Sequence, residues 1–190
     1  SYIPYSKKSM DLFLNRKSDH YCSLNTSLSM AANAYKKCIQ IDKEYKKKYF
    51  IGISVTASLA TTYTKIGDHK FYISLQTESF TKSIECLLIK GSRTREEEEQ
   101  LITEYVLSLL AEFCGIKKDL PIHDEIPIIH IVKAEKSWKK LLNNDVNFVS
   151  SDRSTPELIF PGSFNPLHDG HLRMRELAEK KTGMRATFEI

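Results

Sequence analysis

The stretch LIFPGSFNPLHDGH, Leu158 to His171, constrains this chain more than any other. Leu158, Ile159 and Phe160 predict a short buried strand of the parallel kind. Pro161 and Gly162 end it, and Ser163, Phe164, Asn165 and Pro166 turn the chain sharply. Beyond the turn, Leu172, Met174, Leu177 and Ala178 recur at helical spacing, with Arg173 to Thr182 as the helix body and Gly183 as its cap. A strand, a glycine-containing loop and a helix N-terminus gather backbone N–H groups at the positive end of a helix dipole, which suits an anion. His168 and His171 flank Gly170 at three-residue spacing, so both imidazoles can face one ligand, and Gly170 leaves room for a bulky group near the backbone. The plainer alternative is a strand–loop–helix corner that carries two surface histidines.

His168-Asp169-Gly170-His171 resembles the HxGH motif of a nucleotidyltransferase superfamily. The longer string GSFNPLHDGH is most similar to its nicotinate/nicotinamide mononucleotide adenylyltransferase branch. The resemblance implies a Rossmann-like domain whose first strand–loop–helix unit, and the start of a second strand at Ala186 to Ile190, lie in residues 155–190. It implies that His168 and His171 are catalytic, stabilising a triphosphate while its α-phosphate is attacked. Gly162, Ser163, Phe164, Asn165 and Gly170 would be the nucleotide-binding residues. ATP or CTP would be the substrate, a small phosphorylated acceptor such as nicotinamide or nicotinate mononucleotide would receive the nucleotidyl group, and Mg²⁺ would help neutralise pyrophosphate. No set of protein metal ligands is expected. Such a loop fits the chemistry, because phosphoryl-type transfer depends on positioning and charge stabilisation. The superfamily's second signature, a Ser/Thr with a basic residue at a later helix N-terminus, is not among these 190 residues. The expectation is therefore the front of a catalytic domain, incomplete for catalysis by itself.

Composition excludes several classes. Hydrophobic content of 41% and charged content of 27% are those of an ordinary globular protein. No apolar run approaches the roughly 20 residues of a membrane span, and the N-terminal residues lack a signal-peptide pattern. The four cysteines, Cys22, Cys38, Cys86 and Cys114, form no CxxC pair and no metal-ligand spacing, which points to reduced thiols and a cytoplasmic protein. Net charge is +4. The lysines at 36, 37, 43, 46, 47 and 48 are interrupted by Asp42 and Glu44 and have no aromatic platform, so they read as a solvated helix end. Neither nucleic acid nor membrane is an expected partner; a homo-oligomer is left open.

The residues before the nucleotide-site strand read as an α/β arrangement. Ser6 to Leu14 predicts a helix with Met10, Phe13 and Leu14 inward. Asn25 or Thr26 can cap a second helix, Ser27 to Ile41, with Leu28, Ala31, Ala32, Tyr35, Cys38 and Ile39 as its core stripe and small residues for close packing on a sheet. Tyr49 to Val55, Lys70 to Thr77 and Ser83 to Ile89 read as strands, the last two antiparallel. A Ser/Thr-rich turn, Thr56 to Thr64, follows the first. Ser54, Thr56 and Ser58 could bind a ligand at a strand end, although turn or cap bonds are the preferred reading. Thr94 and Glu97 form a capping box for a helix whose inner face is Leu101, Ile102, Tyr105, Val106, Leu109, Leu110 and Phe113, closed by Gly115. The run Glu96 to Glu99 suits the dipole of its first turns and does not read as a metal site.

This order resembles the second half of the CinA C-terminal domain, a family that includes nicotinamide mononucleotide deamidases. The matching features are Ile3-Pro4-Tyr5-Ser6, Met30-Ala31, Gly52-Ile53, the Lys70 to Thr77 strand and the Arg93/Arg95-Glu96 helix start. The resemblance implies a CinA-like α/β domain with a mixed sheet over residues 1–115. The family's SxES signature is not present, and its Gly/Pro-rich segment is here Ser54 to Thr62, so no deamidase nucleophile is identified. Residues 116–154 are expected to connect the domains through a short strand (Pro127 to Val132), a small helix around Trp138 that packs on one domain, a turn at Asn143-Asn144-Asp145 and a polar lead-in, Ser150 to Pro156. His123 and His130 lack a partner at ligand spacing and read as structural. The reading is nucleotidyl transfer; the alternatives are a non-catalytic nucleotide-binding or assembly module and a pyridine-nucleotide amidohydrolase.

Overall fold

The computed structural model describes residues 2–44, 46–63, 65–142, 145–150, 157–164 and 166–189. The expected turn residues Asn143 and Asn144, residues 151–156 of the polar lead-in, and the cradle residue Asn165 lie outside them. The chain forms two compact units, Ser1–Asp145 and Val146–Ile190.

The first unit is a four-stranded sheet with helices on its faces. Its strands are β1 (Gly52–Ser58), β2 (His69–Gln76), β3 (Phe80–Leu88) and β4 (Ile128–Lys133), in the spatial order β1-β2-β3-β4. The expected mixed sheet is a correction: every described pair in it is antiparallel. The links from β1 to β2 and from β2 to β3 are too short for a crossover helix, so the chain must turn back on itself. The strand expected at Pro127 to Val132 in the connecting segment forms as β4, and it joins this sheet, pairing with β3 from Phe80↔Lys133 to Glu85↔Ile128.

Two helices cover opposite faces, and alternation along β2 decides what each meets. Phe71, Ile73 and Leu75 join Ile84, Cys86 and Leu88 against Leu101, Ile102, Tyr105 and Leu109 of α3 (Arg95–Phe113). Burying each such aliphatic or aromatic side chain contributes roughly 1.5–3 kcal/mol, which makes this the main core. The expected capping box forms: Glu97 N donates to Thr94 Oγ1 at 3.2 Å, and Thr94 N donates to Glu97 Oε2 at 2.7 Å. Gly115, at φ +73°, closes the helix in the left-handed conformation that glycine adopts without strain.

The other face is covered by α2 (Leu24–Ile41), and its contact is polar. The cap is Ser23, not Asn25 or Thr26: Ser23 Oγ accepts from Thr26 N at 3.2 Å, and the helix starts earlier than expected. The face most deeply buried is Thr26, Ser27, Met30 and Ala31, so the expected stripe is rotated; Leu28, Ala32, Tyr35, Cys38 and Ile39 are half-buried. Ser27 Oγ donates to Ser74 Oγ at 2.9 Å, and Ser54 Oγ donates to Ser27 O at 2.6 Å. A Cβ on Gly52 would lie 1.9 Å from Ala31 O, so only glycine lets α2 approach β1 this closely. The Thr56 and Ser58 turn expectation is also corrected, since both residues lie in β1; Ser58 Oγ donates to Asp68 O at 3.1 Å. Helix α1 (Lys7–Leu14), capped by Ser6, buries Phe13 and Leu14 as expected, with Met10 packed against them. The last helix of the unit, α4 (Lys136–Leu142), leaves Trp138 55% exposed, so its side chain is only partly covered.

The second unit pairs β5 (Leu158–Pro161) in parallel with β6 (Ala186–Glu189), and α5 (Asp169–Thr182) lies between them in sequence. The parallel pairing is as expected; the buried strand is not. Leu158 and Phe160 are half-buried while Ile159 is exposed, because two strands and one helix leave a face of β5 open. Helix α5 begins at Asp169, ahead of the expected Arg173, and Gly183 ends it at φ 73°. Among the described residues no helix is long and apolar enough to cross a membrane. The chain is thus a mixed α/β protein.

Candidate functional site

The corner between β5 and α5 brings together most of the residues singled out in the sequence. Gly162 N donates to Glu189 O at 2.9 Å, which fixes the loop's start to the end of β6. His168 occupies the N-cap of α5 with extended backbone angles, and its carbonyl accepts from His171 N at 2.9 Å and Leu172 N at 3.3 Å. Ahead of them, the N–H groups of Asp169 and Gly170 have no acceptor in the helix ladder, which suits an anion. The two imidazoles stack, with ring centroids 3.7 Å apart and planes inclined by 26°. His168 N makes a long contact of 3.4 Å to His171 Nδ1. With Nδ1 accepting, a neutral His171 ring carries its proton on Nε2.

Aromatic rings hold the loop in this shape. Phe164 meets His171 edge-on at 5.0 Å and lies 4.5 Å from Phe188 of β6, which in turn lies 6.2 Å from Phe160. Each such pair adds about 0.5–1.5 kcal/mol beyond its buried area. The glycines let the rings sit close to the backbone here. A Cβ on Gly162 would come within 2.8 Å of the Phe164 ring, and one on Gly170 would meet the His168 ring at 3.1 Å. The room above Gly170 is therefore filled by an imidazole. Ser163 is exposed in the loop, and Asn165 is outside the described residues.

Two residues of this corner escaped the sequence reading. Phe188 anchors Phe164, and Arg175 lies over the Phe188 ring at 5.8 Å. Arg175 is one helical turn beyond His171, an i,i+4 spacing that puts both on one face of α5 and was legible in principle. The donor set is imidazole, backbone N–H and guanidinium, which suits phosphate. Asp169 is the one acidic side chain in the helix's first turn. Among the described residues no group of three or more His, Cys, Asp or Glu is placed to hold a metal ion.

The first unit holds a second polar constellation, beside a groove of about 750 Å³ lined in part by Arg93, Gln100, Leu101, Glu104 and His123. Arg93 grips Glu125 with two bonds of 2.6 and 2.9 Å. Ile89 N donates to the same carboxylate at 2.9 Å, and His123 Nδ1 lies 2.9 Å from it. The Arg93 guanidinium, the Ile89 N–H and His123 hold the Glu125 carboxyl down at about 2. The other nitrogen of His123 meets Tyr105 Oη at 2.6 Å. Burial above all pushes the Tyr105 hydroxyl up to about 12. Tyr105 is fully buried and both ring nitrogens of His123 are engaged, so this group fastens the segment before β4 to β3 and α3 and offers no free base. A related fastening uses Glu98, which is 0% exposed and lies 2.7 Å from both Ala60 N and His69 Nδ1.

No family model, curated protein or solved structure matches the chain.

Proposed function

We propose that the β5–α5 corner binds the phosphates of a nucleoside triphosphate, and that the protein transfers an adenylyl or cytidylyl group to a small phosphorylated acceptor such as nicotinamide or nicotinate mononucleotide. The observation that carries this reading is the stacked His168–His171 pair at the open N-terminus of α5, beside the Gly162-Ser163-Phe164 loop. In the reaction an acceptor phosphate oxygen attacks the α-phosphorus, and the bond to the β-phosphate oxygen breaks to release pyrophosphate. Negative charge grows on the non-bridging and leaving oxygens. The imidazoles of His171 and His168 and the N–H groups of Asp169 and Gly170 would stabilise that charge with little reorganisation. Mg²⁺ would arrive with the triphosphate, supplying further charge neutralisation, since it favours phosphate and water ligands over all-protein cages.

The same reading takes the nucleotide unit as Rossmann-like and residues 1–115 as CinA-like. What supports the latter is the order α1, α2, β1, β2, β3, α3 and the close approach of α2 to Gly52. A reducing, cytoplasmic setting belongs to it as well, and all four cysteines are free.

The test is titration calorimetry with Mg-ATP and Mg-CTP, followed by pyrophosphate release on addition of nicotinamide mononucleotide. His168→Ala and His171→Ala should each weaken triphosphate binding or slow release by about 10²-fold, the scale of losing one preorganised donor. Equal binding and turnover in both variants would refute the reading. Binding with no pyrophosphate released by the whole protein would reduce it to a nucleotide-binding module, and ammonia release would favour amide hydrolysis.

A further inference from the structure

The outer edge of the four-stranded sheet is apolar and exposed. All six residues of β4 are exposed, and four of them are Ile128, Ile129, Ile131 and Val132, at 54%, 40%, 54% and 69%. Edge strands are normally protected by central charges, proline, a bulge or extreme shortness. Here Lys133 at the strand's end is the one residue of β4 with a permanent charge, and the pairing with β3 runs without interruption. Ala134 N donates to Ser79 O across that pairing at 2.8 Å. By the alternation of an antiparallel ladder, even-numbered residues of β4 bond to β3, while Ile129, Ile131 and Lys133 turn N–H and C=O outward.

We infer that β4 pairs with β4 of a second copy of this chain, antiparallel and about a two-fold axis through His130. A two-fold interface must be self-complementary, and Ile128-Ile129-His130-Ile131-Val132 reads almost the same in both directions. In this register Ile129 of one copy faces Ile131 of the other, and both present outward backbone groups, so each such pair exchanges both N–H···O bonds. Ile128 faces Val132, closing the second face with apolar contacts. Lys133 faces Pro127, whose carbonyl can accept the Lys133 N–H. Shifting the register by two residues sets Ile129 against Lys133 and loses the match. At the axis the two His130 rings meet, each with a Glu85 carboxylate oxygen of its own copy 3.5 Å away. The product is a continuous eight-stranded sheet. A six-residue strand is about 20 Å long, so the contact falls below the roughly 1,200 Å² of stable specific interfaces, and the dimer is reversible with concentration.

The experiment is sedimentation velocity across a concentration series, with circular dichroism to confirm folding. The wild-type chain should move from monomer to dimer mass. Ile128→Lys with Val132→Lys sets an introduced lysine of one copy against an introduced lysine of the other, and this variant should remain monomeric. Ile128→Lys with Val132→Glu instead sets the introduced lysine of one copy against the introduced glutamate of the other, and should restore the dimer. Within its own sheet the lysine at position 128 also faces Glu85, which keeps the strand in place. A wild-type chain that is monomeric at every concentration overturns the proposal, including the case in which β4 amides resist hydrogen exchange because another part of the chain covers them. A Lys/Glu variant as monomeric as the Lys/Lys variant overturns the register.

Discussion

Replacing Glu125 by glutamine should cost stability in a way that depends on pH. The carboxylate accepts two bonds from Arg93, one from Ile89 N and one from His123, and it is nearly buried. Those partners lower its pKa from an ordinary 4.5 to about 2. At roughly 1.4 kcal/mol per pKa step, this difference corresponds to about 3 kcal/mol. The sign follows from linkage. A carboxyl with a depressed folded-state pKa contributes its stability in full above its unfolded value, and that contribution falls away between about 4.5 and about 2 as the group protonates. Urea unfolding followed by far-UV circular dichroism, at several values of pH from 7 down to about 2.5, measures this directly. At neutral pH the variant should be less stable by about 3 kcal/mol, or about 1–2 M in midpoint. The gap should close in acid, because the wild type loses what the variant never had. A gap that stays constant with pH, or one below about 0.5 kcal/mol at neutral pH, would refute the assignment of Glu125 as an ionised fastening.

Two further outcomes test the packing. Gly52→Ala forces a methyl onto backbone atoms of α2, 1.9 Å from Ala31 O and 2.5 Å from Tyr35 N, and should cost about 1–3 kcal/mol or more in thermal or urea unfolding; a neutral substitution would mean that α2 does not sit on β1 this closely. Maleimide labelling near neutral pH should modify exposed Cys114 first and Cys86 only on unfolding, since burial, with the nearby Glu125 carboxylate, pushes the Cys86 thiol up to about 11. Early labelling of Cys86 in the folded protein would contradict that environment.

The elements legible in the sequence were those whose signals are local. The Thr94/Glu97 box, the apolar face from Leu101 to Leu109, and the Pro161-Gly162 break before a helix each need only neighbouring residues, and each formed as read. The antiparallel pairing of β2 with β3 was legible from their short link, whereas the pairing of β4 with β3 was not, because those partners lie far apart in sequence. The α2 stripe was misplaced for a different reason. Apolar spacing assumes that the buried face is the greasy one, and here it is Ser27 that meets Ser54 and Ser74. In the candidate site both histidines and both glycines were readable from spacing, whereas the role of Phe188 depends on parallel pairing with β5 and has no local signature. Glu98 could have been singled out from the glutamate run. It stands three, four and seven residues before Leu101, Ile102 and Tyr105, on the apolar face itself, and a carboxylate there must find buried partners.

These polar contacts explain how the first unit distributes its stability. The α2 face is closed by hydroxyls and by a glycine, so it contributes tight fit and satisfied hydrogen bonds but little apolar area. The α3 face carries the aliphatic and aromatic core, and its margins are tied down by Glu98 to the β1–β2 link and by Glu125 to the end of β3. Both ties act on backbone N–H groups just beyond strand ends, where the ladder no longer supplies acceptors. The Glu125 tie also fixes where the chain enters β4. The strand is thereby held at the sheet edge by its pairing with β3 and by one anchored carboxylate, with its isoleucines outside the core. An edge positioned so firmly and left so apolar has its ordering cost met within the monomer, which lets even a small self-pairing contact be favourable.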